Sequence, residues 1–211
     1  MAQFTKVKSF TDLKNKKYNI LDFEGKFKNS FGSPELAGAW IVWGDSSAGK
    51  TSLNLQLAKY MARFSTVLYN SFEEGLSLSF FNNLKVHEID SVGNGFQMLE
   101  GESISVLNER LKKQRAPRII IIDSVQHSRM TKDEYHLLKT THFKDKLFVF
   151  VSHANGKLPK GELADFIRFD SEIKIRVEGF RAFPTGRLNG GGNFFDVWPL
   201  RSAQYWSEIP R

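Results

Sequence analysis

The sequence predicts an α/β fold with a mostly parallel central sheet flanked by helices and antiparallel strands toward the carboxyl end, and three features carry that reading. A glycine-rich loop at residues 44–51 separates an apolar run at 39–43 from a segment with Leu53, Leu57, Tyr60, Met61 and Phe64 at helical spacing. Four successive isoleucines at 119–122 read as a strand buried on both faces. Charged and apolar residues then alternate singly over 172–178, putting Ile173, Ile175 and Val177 on one face of a half-exposed antiparallel strand.

The remaining elements follow in order. Residues 66–71 read as a second strand, and the acidic pair Glu73-Glu74 follows it. A basic-ended helix over 104–114 leads into the isoleucine run, and a helical stretch near 134–143 leads into another apolar strand at 147–151. Strands and helices in this order suit an open parallel sheet with right-handed connections. Two more strands are expected at 180–183 and 193–198, joined through the three glycines at 190–192. Residues 1–36 are polar and Lys-rich, with Phe4, Phe10, Phe23, Phe27 and Phe31 scattered among them, and fit neither a clean helix nor a clean strand. They are read as an amino-terminal adaptor segment ahead of one core domain at 37–211.

Composition narrows the function classes. At 211 residues, 41% hydrophobic and with 19 Phe, the chain has enough apolar surface to build a packed core. It has no Cys, which excludes disulfides and thiolate metal sites, and no apolar run long enough to span a membrane. A cytoplasmic location is expected, since residues 1–10 also lack the apolar stretch of a signal peptide. The formal charge of +7 points to a polyanionic partner, because clustered Lys and Arg gain affinity by releasing counterions from phosphates.

The loop Gly44, Asp45, Ser46, Ser47, Ala48, Gly49, Lys50 and Thr51 has the spacing G-x4-G-K-[ST]. Glycines there let backbone N–H groups wrap phosphates while the lysine reaches the β and γ oxygens. Lys50, Thr51 and Ser52 open a helix, so its positive dipole end faces the same anion. Thr51 is expected to hold Mg²⁺ through its hydroxyl, with Asp123 as the second anchor at the end of the buried isoleucine strand; a helix cap is the plainer use for that aspartate. ATP and Mg²⁺ are therefore the expected ligands. Glu73, with Glu74 beside it, is placed to orient an attacking water, although both also suit the start of a helix. His153 and Asn155 close the strand at 147–151, within reach of a γ-phosphate.

With these residues in place, the chain resembles the RecA/RadA/DnaB/KaiC group of P-loop ATPases, through GDSSAGKTSLNLQLA, YNSFEEG, IIIIDSVQ and VFVSHANGK, in that order from about residue 36 to 198. The resemblance implies a RecA-like core in which Glu73 is the catalytic glutamate and His153 a γ-phosphate switch. It also implies a homo-oligomer, ring or filament, in which Arg187 of the Arg187-Leu188-Asn189-Gly190 turn completes a neighbour's site. Lys157 and Lys160 occupy the position of a DNA-contacting loop in the recombinases. Small single-domain members of this kind, familiar from phage genomes, imply single-strand DNA binding, annealing or strand exchange. A ring motor or loader on duplex DNA, and a nucleotide-gated regulatory module with little hydrolysis, are the alternatives. The recombinases' first DNA-contacting loop has no clear counterpart in the segment 124–146.

Overall fold

Nearly every side chain of β1 (Gly38–Gly44) is buried, in the computed structural model that describes residues 7–186 and 193–208. The strand lies at the centre of a sheet ordered β3-β2-β4-β5-β1-β7-β8-β9, in which β2 spans Val67–Ser71, β3 Phe96–Leu99, β4 Ile119–Asp123, β5 Leu147–Asn155, β7 Ile173–Glu178, β8 Arg181–Gly186 and β9 Phe195–Asp196. Pairings from β3 across to β7 are parallel, while β7–β8 and β8–β9 are antiparallel, and the short β6 (Leu158–Pro159) folds back on β5. This is the sheet that the isoleucine run and the alternating carboxyl-terminal segment predict. β4 is buried along its whole length, whereas β7 alternates buried and half-buried residues. The reason is that β4 has helices over both faces and β7 lies toward the margin.

Helices cover the two faces. One hydrophobic cluster joins Trp40 and Val42 of β1 to Leu53, Leu57 and Met61 of α3 (Lys50–Met61), and the other joins Ile41 and Trp43 to Leu107 of α5 (Ile104–Leu111) and Ile167 of α8 (Glu162–Asp170). Neighbouring residues of β1 serve opposite layers, as the period of a strand requires. Among the described residues, no helix is long and apolar enough to cross a membrane.

Several elements differ from their predicted form. The segment before β1 contains α1 (Phe10–Lys14) and α2 (Gly25–Phe31), and Leu21, Phe23, Phe27 and Phe31 are buried in the same cluster as β1 and α3. Phe23 is fully buried, its ring centroid 5.2 Å from that of Tyr60, 5.8 Å from Phe64 and 6.4 Å from Trp40. Truncating it leaves a cavity that these large rings cannot collapse to fill. Phe23→Ala is thus expected to lower unfolding stability by about 3–5 kcal/mol, read from the urea midpoint at unchanged slope. The helix expected at 134–143 is a short α7 (Lys132–His136) continued by a π-helical turn at Leu137–His142. The strand expected at 147–151 runs on to Asn155, so His153 lies within β5. Only Phe195 and Asp196 pair in the last expected strand, and Trp198 leads into α9 (Pro199–Glu208). The glycine turn at 190–192 lies outside the described residues.

Candidate functional site

Parallel register brings the predicted residues to one edge of the sheet. Gly44, ending β1, pairs with His153 on β5, while Asp123, ending β4, pairs with Ser71 on β2 and Val151 on β5. All lie at the carboxyl ends of the strands, where open parallel sheets bind ligands.

The loop after β1 is shaped by its residue types. A Cβ on Gly44 would stand 2.2 Å from the Val177 carbonyl oxygen, so no larger residue fits beside β7 there. Ser47 and Gly49 have φ of 61° and 105°, and left-handed residues interspersed in a turn curl successive N–H groups toward one side, which makes an anion cradle. Gly49 caps α3 in a conformation that glycine alone adopts cheaply. Asp45, Ser46 and Ser47 are exposed and Ala48 to Ser52 half-buried, leaving the cradle open to solvent. Lys50 donates from Nζ to the carbonyls of Gly44 (2.9 Å) and Asp45 (2.8 Å), which holds its ammonium over the loop with a third N–H to spare. Burial lowers its pKa, against the opposing pull of Asp123, Glu73 and Asp45.

Asp123 is buried, and Oδ2 accepts a hydrogen bond from the Tyr69 hydroxyl. Burial in the first place, then repulsion from Glu73 and Glu74, push its pKa up to about 6, against the hydrogen bond from Tyr69 and the charge of Lys50. Burial and the neighbouring Asp123 raise the Tyr69 pKa, which keeps that phenol a donor. Asn54, fully buried one turn beyond Thr51, stands close to Tyr69, and its side chain closes no hydrogen bond of good geometry among the described residues. A buried carboxylate, a threonine hydroxyl at a helix start and unmet polar capacity nearby fit a hard, partly hydrated cation such as Mg²⁺.

The titration has a direct consequence. Between pH 3.8 and about 6 the folded chain keeps a proton on Asp123 that the unfolded chain has released, so this residue's contribution to stability falls as pH rises through that window. Cation binding needs the ionised form. The Mg²⁺-dependent part of nucleotide affinity is therefore expected to weaken by roughly tenfold per pH unit below 6 and to flatten above 7. Calorimetry from pH 5 to 8 checks this, with Asp123→Asn showing neither the slope nor the Mg²⁺ dependence.

Backbone bonds fix the acidic loop after β2 to the end of β4. The amides of Phe72 and Glu73 donate to the Asp123 carbonyl (2.5 and 3.3 Å), and the Gly75 amide donates to Ser71 Oγ (3.1 Å). The two glutamates then diverge. Glu74 accepts from the Thr51 hydroxyl at 3.3 Å, whereas Glu73 Oε2 lies 3.2 Å from His153 Nε2 and 3.7 Å from His127 Nδ1. His153 is half-buried, and burial lowers its pKa, as do Lys50, His127 and Lys160 against the opposing effect of Glu73.

Behind this cluster Gln126 ties three elements together. Its side-chain nitrogen donates to Ser152 Oγ (2.8 Å) and to the Lys160 carbonyl (2.6 Å), while its oxygen accepts from the His153 amide (3.2 Å). Lys160 also donates its own amide to the His153 carbonyl (2.8 Å), so the exposed turn with Lys157 and Lys160 is hydrogen-bonded to His153. Arg187 lies outside the described residues.

Beside the loop, Ser47, Gly49, Lys50, Thr51, Ser52, Asn83, Phe180, Trp198 and Arg201 line a pocket of about 230 Å³. Larger clefts exist, including one of about 410 Å³ near Phe31, Trp40 and Glu172, but that one opens by Gly38, at the start of β1 and so at the opposite end of the strand from the phosphate loop. Tyr69, Gln126, His127, Phe180 and Arg201 join this edge beyond the residues expected there from the sequence. His127, four residues past Asp123 at the sheet edge, is the one whose spacing carried a signal.

Sheet order and the loop at the end of β1 define a RecA-like P-loop core. Among solved structures, the chain is similar to the flagellar accessory protein FlaH from Methanocaldococcus jannaschii, with a TM-score of 0.61 and 16% identity over 85% of this chain and 92% of that one. It is also similar to a KaiC-like protein from Pyrococcus horikoshii OT3, with a TM-score of 0.57 and 13% identity over 81% and 88% of the two chains. At such identities the likeness establishes the fold. No protein-family model matches the chain, and no curated protein does.

Proposed function

We propose that this protein binds Mg-ATP at the loop of residues 44–51, hydrolyses it, and couples that reaction to single-stranded DNA in recombination or replication, as a ring or filament of identical subunits. The observation that carries the nucleotide reading is the gathering of Lys50, Asp123 and Glu73 at the edge of the sheet where α3 begins. In this reading the loop amides and Lys50 bind the β and γ phosphates, and Thr51 and Asp123 hold the Mg²⁺, which neutralises charge on the phosphoryl oxygens. Glu73 accepts the proton of the attacking water, and His153 registers the γ-phosphate. Arg187 of a neighbouring subunit completes the site.

The DNA reading rests on the +7 charge and on the exposed Lys157 and Lys160 turn, bonded directly to His153 and through Gln126. Single-stranded DNA is expected to stimulate ATP turnover by the purified protein. In Lys157→Ala/Lys160→Ala, binding to single-stranded DNA weakens across all sequences and the salt slope falls by about 1.4, or roughly 0.7 per lost phosphate contact. Turnover indifferent to DNA, with no DNA-bound assembly, would remove this reading.

A nucleotide-gated regulatory module is favoured by a different observation: Glu73 faces two imidazoles and Thr51 is bonded to Glu74. One of the similar structures is named as an accessory protein.

A further inference from the structure

We propose that Glu73, His127 and His153 form a site for a borderline divalent metal ion of the zinc class, separate from the Thr51 and Asp123 pair, and that its occupancy takes Glu73 out of water activation. The second clause rests on the ATPase reading; the first does not. One donor atom from each residue lies within 4.8 Å of the others, and the two rings stand at 73° with centroids 5.6 Å apart. Neither imidazole–carboxylate contact, at 3.2 and 3.7 Å, closes as a hydrogen bond, so Glu73 has no strong partner among the described residues.

Two imidazoles and one carboxylate are the donor set that Zn²⁺, Co²⁺ and Ni²⁺ prefer over Mg²⁺, which takes oxygen ligands. Tetrahedral bonds of about 2.0–2.2 Å put donors roughly 3.3 Å apart, a spacing that Glu73 and His153 already have at 3.2 Å and that Glu73 and His127, at 3.7 Å, reach by a small rotation. Glu73 and His127 are exposed enough for that rotation. The backbone beneath them is already fixed. Gln126 accepts from the His153 amide, and the Glu73 amide donates to the Asp123 carbonyl. Coordination through His127 Nδ1 exchanges the 2.8 Å bond to Ser124 Oγ for a metal bond. Three protein ligands leave a fourth position for water, and a carboxylate bound to such an ion is a weaker base, so it takes a proton from water less readily. Asp123 and Glu74 add negative charge beside the site, which offsets Lys50 and Lys160.

Cobalt titration of the whole protein without nucleotide or Mg²⁺ tests the site apart from any ATP chemistry. The wild type is expected to bind one Co²⁺ per chain with visible ligand-field absorption, and Lys50→Ala to do the same. His127→Ala/His153→Ala is expected to bind at least about tenfold more weakly and lose the absorption, with circular dichroism confirming the fold. Absence of cobalt binding by the wild type, or equal binding by the double variant, would overturn the proposal. Loss of ATP turnover by the wild type would leave these cobalt results standing and count only against the ATPase reading.

Discussion

Lys50→Ala is expected to weaken Mg-ATP binding by on the order of a hundredfold to a thousandfold, or about 3–4 kcal/mol, because the lysine supplies two charge-assisted contacts worth roughly 1.5–3 kcal/mol each. The fold is expected to survive. Lys50 is half-buried and tethered to two loop carbonyls, its ammonium bonded to no side chain among the described residues, and water replaces those bonds when it is removed. The burial that lowers its pKa also costs the apo protein something to keep the charge, so the substitution is expected to leave the melting temperature unchanged or slightly raised. Calorimetric titration with Mg-ATP, beside thermal unfolding, separates the two effects. Unchanged affinity would displace the nucleotide from this loop.

The second large effect concerns chemistry. Glu73→Gln is expected to lower ATP turnover by about 10²–10⁴-fold with nucleotide affinity retained, since a positioned general base contributes that much and the amide cannot take the proton. Glu74→Gln should act differently: Glu74 accepts from the Thr51 hydroxyl, so its loss changes nucleotide and Mg²⁺ affinity more than the chemical step. Single-turnover kinetics distinguish them. Equal, near-zero rates for the parent and Glu73→Gln would favour the regulatory module over the ATPase.

Much of the fold was legible because strong local signals coincide with burial. β4 is a run of isoleucines with no polar interruption, and β7 alternates because it is half-covered, so both periods read correctly. Residues 78–99 were not legible. Leu76, Leu78, Phe81 and Val86, around and along α4 (Leu78–Val86), are exposed, so their apolarity does not mark an inward face, and the 3-10 turn at Ile89–Gly95 has no period to find. The amino-terminal aromatics hid a signal of their own: Phe27 and Phe31 stand four apart on one face of α2, and Phe23 lies just before it, yet Lys and Gly between them masked it. α9 was missed because exposed Leu200 and Tyr205 blur its one packed side.

The site divides in the same way. That the loop and the strand-end acid meet at one edge of the sheet was readable, since the G-x4-G-K-[ST] spacing and the isoleucine run mark where their strands end. Tyr69 and Gln126 were not. Their roles arise from register between strands and from hydrogen bonds across long sequence separations, 54 residues in the case of Tyr69 and Asp123.

A crystal structure with Mg²⁺ and a slowly hydrolysed ATP analogue tests the central claim most directly. A triphosphate is expected in the curl of residues 44–51, with Lys50 on its β and γ oxygens, the metal between Thr51 Oγ1 and the Asp123 side, and Glu73 facing the terminal phosphorus. A nucleotide bound in another cleft, or Asp123 turned from the metal toward the core, would contradict it.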